Sequence, residues 1–354
     1  MYFMPQSFIR YKKIIDAYLL RFLSEKQKEL SSVNSWSDDI FQKLNEFVTS
    51  GKSLRGGFVL FITDIYGKKI NDDALRLASA VELIHAGFLI HDDIMDQDRM
   101  RRGHPSLYTQ YEEVGKKLTF NKPLLFGQDM AICAGDLTFF LAMSCLGQNT
   151  NSKKLPLLLN HFSSEYSSVC VAQMQDASFG FSYRIPTIDE VLSLYRYKTA
   201  RYTFSMPFML GGILAGITKK EITTLEKLGE QMGIIFQLHD DSLNLFGNPQ
   251  ITGKPVGSDI REGKKTLALV RLFTHAGNLD RQKLQAIMKR NKRNPKDVTL
   301  VYQLLEKYQI KTYLETEILT IANNATQFIS NLSVEEHFKK DMTDVLKYIY
   351  ERSK

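Results

Sequence analysis

Apolar residues recur at three- and four-residue steps along most of the chain, the spacing of helices that bury one face. The stretch DDALRLASAVELIHAGFLIHDD, 72–93, shows it most plainly. Leu75, Ala78, Leu83, Ile84 and Phe88 share that spacing, and Asn71 or Asp72 stands where an N-cap belongs. The same reading predicts helices over about 8–30, 37–49, 126–147, 155–180, 187–217, 219–246, 263–276, 298–326 and 334–352. No stretch alternates convincingly with period two, so no strand is predicted. Most prolines punctuate the segments, whereas Pro207 falls inside one and predicts a kink. No repeat, low-complexity tract or Gly/Ser/Pro-rich linker divides the chain. The expectation is an all-α fold, a single domain over 1–354 of roughly a dozen helices, several apolar nearly all round and gathered in a central bundle.

Composition narrows the partners. The 354 residues are 44% hydrophobic, ample for a large core, and the net charge of +7 favours an anionic partner, nucleic acid or phosphorylated small molecules. The Lys-rich stretch KRNKRNPKD, 289–297, lacks interleaved aromatics and reads as a solvated turn between helices. Cys133, Cys145 and Cys170 show no paired spacing and sit in apolar surroundings, so buried free thiols in a reducing, cytoplasmic setting are expected. The N-terminus alternates charged and apolar residues at helical spacing, unlike a signal peptide. The longest weakly polar run, 203–217, is shorter than the ~18 apolar residues of a spanning helix, so no transmembrane segment is expected.

Chemistry concentrates first in LIHDDIMDQDRMRRGHPSLY, 89–108. On a helix Asp92 and Asp96 stand one turn apart on one face, while Asp93 points elsewhere. Two such carboxylates suit Mg²⁺, which prefers oxygen ligands, keeps waters and takes further ligands from phosphates. Arg101 and Arg102 follow where the helix runs out, placed for planar contacts to phosphate oxygens. Charge runs more often form solvated helix faces. Here the acids are flanked by apolar residues, and carboxylates short of full solvation need a metal or an arginine. A second acid pair, Asp240–Asp241, lies on another apolar helix with Asn244 one turn on. A glycine-rich, lysine-bearing stretch follows, with Lys254, Asp259, Lys264 and Lys265, suited to phosphate oxygens but without P-loop spacing. Lys52 with Arg55, and Lys198 with Thr199, add two more basic clusters. Together two acid pairs and four basic clusters point to a metal-bridged polyphosphate site.

These residues resemble the trans-isoprenyl diphosphate synthases, the polyprenyl synthetase family. GKSLRGG, DDIMDQDRMRRG, AGDLTF, AQMQD, KTA, FQLHDDSLN and GSDIREGKKTL occur in the family's order across nearly the whole chain. The resemblance implies an all-α bundle enclosing a deep central cavity, usually in a homodimer. It implies that Asp92 and Asp96 bind two Mg²⁺ ions and Asp240 a third. Arg101, Lys198, Thr199, Gln237, Lys254 and Lys264 would hold the allylic diphosphate. Lys52, Arg55, His85 and Arg102 would hold the diphosphate of isopentenyl diphosphate. Asp93 and Asp98 are not expected as ligands, and Arg99 is expected on the surface. The acids and arginines are expected to share the diphosphate and not to neutralise one another. Mg²⁺ and cations would stabilise the departing diphosphate, with Lys198, Thr199 and Gln237 near the allylic cation and the released diphosphate as base. Three departures stand out: Gly56 where the family usually has Pro, Ala172 for a usual Gly, and Asn244 for the third aspartate.

In this family, bulky residues four or five positions ahead of the first motif form a floor that limits the product. Phe88, with small Gly87 beside it, fits C15 to C20, and geranylgeranyl diphosphate is the expected product. A terpene cyclase would not need a second diphosphate site, here Lys52, Arg55 and Arg102. A regulatory subunit would lack acids that are present, and the basic residues form no single nucleic-acid patch.

Overall fold

The computed structural model describes residues 6–148, 153–247, 257–290 and 292–351. Their regular structure is helical apart from one pair of two-residue strands. In chain order the elements are α1 (Gln6–Leu30), α2 (Trp36–Thr49), α3 (Leu54–Ile65), α4 (Asp72–Met95), β1 (Met100–Arg101), β2 (His104–Pro105), α5 (Leu107–Lys117) and α6 (Pro123–Gly147). Then come α7 (Leu155–Phe181), α8 (Ile188–Tyr195), a π-helical segment (Arg196–Ser205), α9 (Met206–Ala215) and α10 (Lys219–Phe246). The last are α11 (Ser258–Glu262), α12 (Leu267–His275), α13 (Asn278–Met288), α14 (Pro295–Lys307), α15 (Ile310–Ser330) and α16 (Glu336–Glu351).

The helices gather into two compact units. One comprises 6–158 and 210–217, the other 159–209 with 218 onward. In the first, α4 packs against α1, α3 and α6, and α5 lies on α6. The α4 core face carries Leu77, Val81, Leu83, Ile84 and Ile90, all at most 5% exposed, and each such side chain contributes about 1.5–3 kcal/mol when buried. Its start is capped as expected: Asn71 accepts from the Ala74 N–H at 3.0 Å. In the second unit, α10 packs on the π-helical segment, α15 and α16.

Several elements differ from the sequence-based expectation for local reasons. Helix α3 is not predicted because nine of its residues are buried and no polar face marks a period. The segment expected at 298–326 is two helices, broken where Gln309 takes a left-handed φ of 52°. The one expected at 263–276 begins at Leu267, because Gly263 (φ 75°) closes α11 first. Helix 187–217 is interrupted by the π-helical segment, whose end is marked by the Met206 N–H donating five residues back to Arg201 O. Pro207, which has no N–H, follows at once, so the expected kink appears as a change of helical register. Arg201 braces the wide turn, donating to Glu165 at 2.9 Å and Glu226 at 2.8 Å. A strand pair also corrects the expectation of none: Met100 pairs with Pro105 and Arg101 with His104. Its two-residue turn has both φ angles positive, Arg102 at 53° and Gly103 at 81°, the type I′ geometry that matches strand twist.

The Lys289–Asp297 stretch joins α13 to α14 as expected. Cys145 is buried, but Cys133 and Cys170 are exposed, correcting the expectation of three buried thiols; all three are free. Helices α4 and α6 are long and apolar enough, by length and composition, to cross a membrane. Interspersed polar residues hide both from a search for one unbroken apolar run.

Candidate active site

The first acidic region closes α4. Asp96 caps the helix, and its N–H donates to Asp92 O at 2.8 Å, so the helical register runs through both acids. Asp92 is half-buried and Asp96 exposed. Asp93 is 1% exposed. It accepts from Arg101 Nε at 2.6 Å, and Arg101 Nη2 approaches the same oxygen. Burial pushes the Asp93 carboxyl up to about 6, with the Arg101 guanidinium limiting the rise. This corrects the expectation that the arginines leave the acids alone: Arg101 is ion-paired with Asp93 and lies 3.5 Å from Asp98. Arg99 is on the surface as expected, paired with Glu112 at 2.5 Å.

The hairpin turns Arg102 away from Arg101. Arg102 donates to Ser50 Oγ at 3.2 Å and to Phe47 O at 3.4 Å. Its guanidinium lies flat over Gly51, where a Cβ would stand 2.7 Å from Nη1. His85 is half-buried two turns before Asp92. Burial and the charges of Arg55, Arg102 and Arg101 lower its pKa well below the ordinary value, so the ring is neutral. Arg55 and Arg102, which the resemblance groups with His85, are thus among the charges acting on it, and Arg101, expected at the other diphosphate, acts on it too. Lys52 is exposed, next to Ser53, whose left-handed φ of 48° begins α3.

Sequence reasoning missed Glu82. It is 7% exposed and accepts from the Gly56 N–H at 2.7 Å. Burial raises its carboxyl, opposed by that N–H and by the Arg55 and Arg102 charges. A proline at 56 would have no N–H to donate, and a Cβ there would stand 2.7 Å from Ala78 O. The departure at Gly56 therefore has a partner. The signal in the sequence was an acid inside the apolar run AVELIH. Below the acids, the Phe88 ring meets Phe139 edge-on at 5.3 Å. A Cβ on Gly87 would collide with Thr138 and Phe139, so α4 and α6 touch there.

The second acidic region sits late in α10. Asp240 and Asn244 are half-buried one turn apart, and Asp241 is 6% exposed. Asp241 accepts from the Tyr195 hydroxyl, and at 2.8 Å from Gln237 Nε2. Burial pushes its carboxyl up to about 7, with both donors opposing. Thr199 donates to Gln237 Oε1 at 2.8 Å, which joins two expected residues directly. Lys198, beside Thr199 on the π-helical segment, is ion-paired with Asp176. Lys264 is exposed and 3.0 Å from Glu262. Lys265 instead turns to the carbonyls of Phe179 and Ser182, capping α7. Lys254 lies outside the described residues.

Among the described residues no three His, Cys, Asp or Glu side chains are grouped closely enough to hold a metal. The acids at hand are hard oxygen donors, few per helix, which fits Mg²⁺ that completes its shell with phosphate and water.

A helical fold carrying such acids among arginines defines a class of magnesium-dependent transferases. The polyprenyl synthetase family model matches residues 37–305, and the chain belongs to that family. It is 30% identical to a short chain isoprenyl diphosphate synthase of Methanothermobacter thermautotrophicus over 338 residues, 94% of this chain and 98% of that one. A (2E,6E)-farnesyl diphosphate synthase of Mycobacterium tuberculosis is 27% identical over 320 residues, 90% of this chain and 83% of the other. Among solved structures, geranylgeranyl pyrophosphate synthase of Corynebacterium glutamicum, complexed with isoprenyl diphosphate and magnesium, matches with TM-score 0.89. The identity is 25%, over 97% of this chain and 99% of that one. The geranylgeranyl pyrophosphate synthetase of Pyrococcus horikoshii matches at TM-score 0.81 with 30% identity and 98% of each chain.

Proposed function

We propose that this protein condenses isopentenyl diphosphate with an allylic diphosphate, head to tail and in trans, to give geranylgeranyl diphosphate. The observation that carries the reading is a second cationic cluster, Arg55 and Arg102 acting on His85, two turns above the Asp92–Asp96 face. A cyclase would need no such second cluster. Asp92 and Asp96 would hold two Mg²⁺ ions and Asp240 a third, and the metal would supply charge neutralisation for the departing diphosphate. Arg101, Lys198, Thr199, Gln237, Lys254 and Lys264 bind the allylic diphosphate. Lys52, Arg55, neutral His85 and Arg102 bind that of isopentenyl diphosphate. Arg101 exchanges part of its contact with Asp93 for phosphate when substrate arrives. Residues 1–354 act as one polyprenyl synthetase domain.

Phe88, backed by Phe139, is the floor beneath the growing chain. The relatives named as farnesyl diphosphate synthases keep a C15 or mixed C15/C20 product as the second reading. The enzyme works as a cytoplasmic homodimer. Supporting this, α6 presents Leu125, Ile132, Phe140 and Met143 on one exposed face, Phe140 at 74%, and the three cysteines are free thiols. The test is incubation of purified protein and Mg²⁺ with labelled isopentenyl diphosphate and each of three allylic primers. Consumption with a C20 product is expected; no consumption of isopentenyl diphosphate refutes the reading. Phe88→Ala should lengthen the product by at least one isoprene unit on chromatography.

A further inference from the structure

The second acidic region contains one continuous chain of hydrogen bonds that leads away from the motif residues. Leu267 N–H, at the start of α12, donates to the Tyr195 oxygen at 2.9 Å. Tyr195 donates its only hydroxyl proton to Asp241 Oδ2. Gln237 Nε2 donates to Asp241 Oδ1 at 2.8 Å, and Thr199 donates to Gln237 Oε1 at 2.8 Å. A backbone N–H can only donate, so the Tyr195 proton must go to Asp241. Gln237 turns its NH₂ toward Asp241, which leaves its oxygen to accept from Thr199. The Thr199 proton is thereby aimed at Gln237, and its lone pairs are left for other partners.

Tyr195 occupies a mechanical boundary as well. It is the last residue of α8, 6% exposed, and the π-helical segment that carries Lys198 and Thr199 begins at the next residue. We propose that Tyr195 is a positioning residue for the transfer step: through Asp241 it locks the Gln237 amide, and through Gln237 it sets the Thr199 hydroxyl. The inference rests on the placement of Thr199 and Gln237 beside the reacting allylic group. Asp241 is then a relay of orientation, distinct in role from the adjacent Asp240. Because Thr199 and Gln237 also hold the allylic diphosphate while nothing in the chain is assigned to that of isopentenyl diphosphate, its loss lowers kcat and spares KM for isopentenyl diphosphate.

Tyr195→Phe keeps the ring and removes the hydroxyl. It should lower kcat roughly ten- to a hundredfold, the scale of a misplaced catalytic group, with KM for isopentenyl diphosphate unchanged. In a double-mutant cycle with Thr199→Val the two losses should not multiply, because both act through one chain. A Tyr195→Phe enzyme at full kcat, or losses that multiply, overturns the inference while a slow Thr199→Val enzyme upholds the placement of Thr199. Full kcat in Thr199→Val overturns both. If Tyr195→Phe does not fold, Asp241→Asn carries the same test. Its kcat should fall with the half-saturating Mg²⁺ concentration unchanged. A sharply raised Mg²⁺ requirement would mark Asp241 as a metal ligand and overturn the positioning role.

Discussion

Asp92–Asp93 on α4 and Asp240–Asp241 on α10 are the same dipeptide on two apolar helices, and both split the same way. The first acid of each pair is half-buried, and the second is buried. The pairs differ in what balances the buried charge. Asp93 has a guanidinium, Arg101, delivered by a two-residue hairpin. Asp241 has only neutral donors, a phenol and an amide. Burial raises both carboxyls; Arg101 opposes the rise at Asp93, whereas at Asp241 only the phenol and amide oppose it and the charge of Asp259 adds to it. An identical local sequence thus leads to two electrostatic solutions, one of which engages an arginine proposed above to bind substrate.

The largest effects should come from the half-buried first acid of each pair and from Asp96, one turn after Asp92. Asp92→Asn, Asp96→Asn and Asp240→Asn should each lower kcat by about 10²–10³-fold at fixed Mg²⁺, a loss comparable to removing one preorganised charge stabiliser. Equal activity in Asp240→Asn and wild type would show that only the α4 acids hold metal. The buried members should separate by stability. Asp93→Asn leaves Arg101 with only the more distant, exposed Asp98 as counter-charge and should cost about 2 kcal/mol, less than a fully buried pair because Arg101 is a quarter exposed. Asp241→Asn breaks no ion pair and should cost under about 1 kcal/mol in a denaturant titration. If the order is reversed, the contrast between guanidinium and dipole fails.

Gly51→Ala sharpens the α4 side alone. The new methyl meets the tip of the flexible Arg102 side chain, so the fold survives and Arg102 is displaced. KM for isopentenyl diphosphate should rise about tenfold, the value of one charge-assisted contact, with KM for the allylic substrate unchanged. The smallest effect concerns His85. Its folded pKa is lowered, so the unfolded chain takes up a proton near its ordinary value of about 6.5 while the folded protein does not. Stability is therefore complete above that pH and falls below it, by at most about 1.4 kcal/mol per pH unit. Chemical denaturation at pH 7 and pH 5 should show the drop in wild type and a smaller one in His85→Gln.

Much of this was legible in the chain. Helical periodicity located α4 and α10 because each has a polar edge beside a buried face, and the carboxylates at one-turn spacing marked the acids of both regions. The same periodicity was silent on α3, nine of whose residues are buried so that no polar face marks a period. It was silent too on the π-helical segment, since a shift from a four- to a five-residue bond leaves no mark in the order of side chains. The β1–β2 hairpin is too short to alternate, and its Arg-Gly turn carries none of the usual Asn-Gly signal.

What the sequence determined by itself was the class: all-helical, two acid pairs, clustered cations, and a family order of motifs. Those depend on residue type and spacing along a single helix, where geometry is repetitive. What only the tertiary structure decided was which acid of each pair is buried and what neutralises it. Arg101 on Asp93, Glu82 on the Gly56 N–H, and Tyr195 on Asp241 join residues 8, 26 and 46 positions apart. No periodicity reports such partners, because they meet only when separate elements pack, and burial then makes each charge find whatever donor the packing supplies.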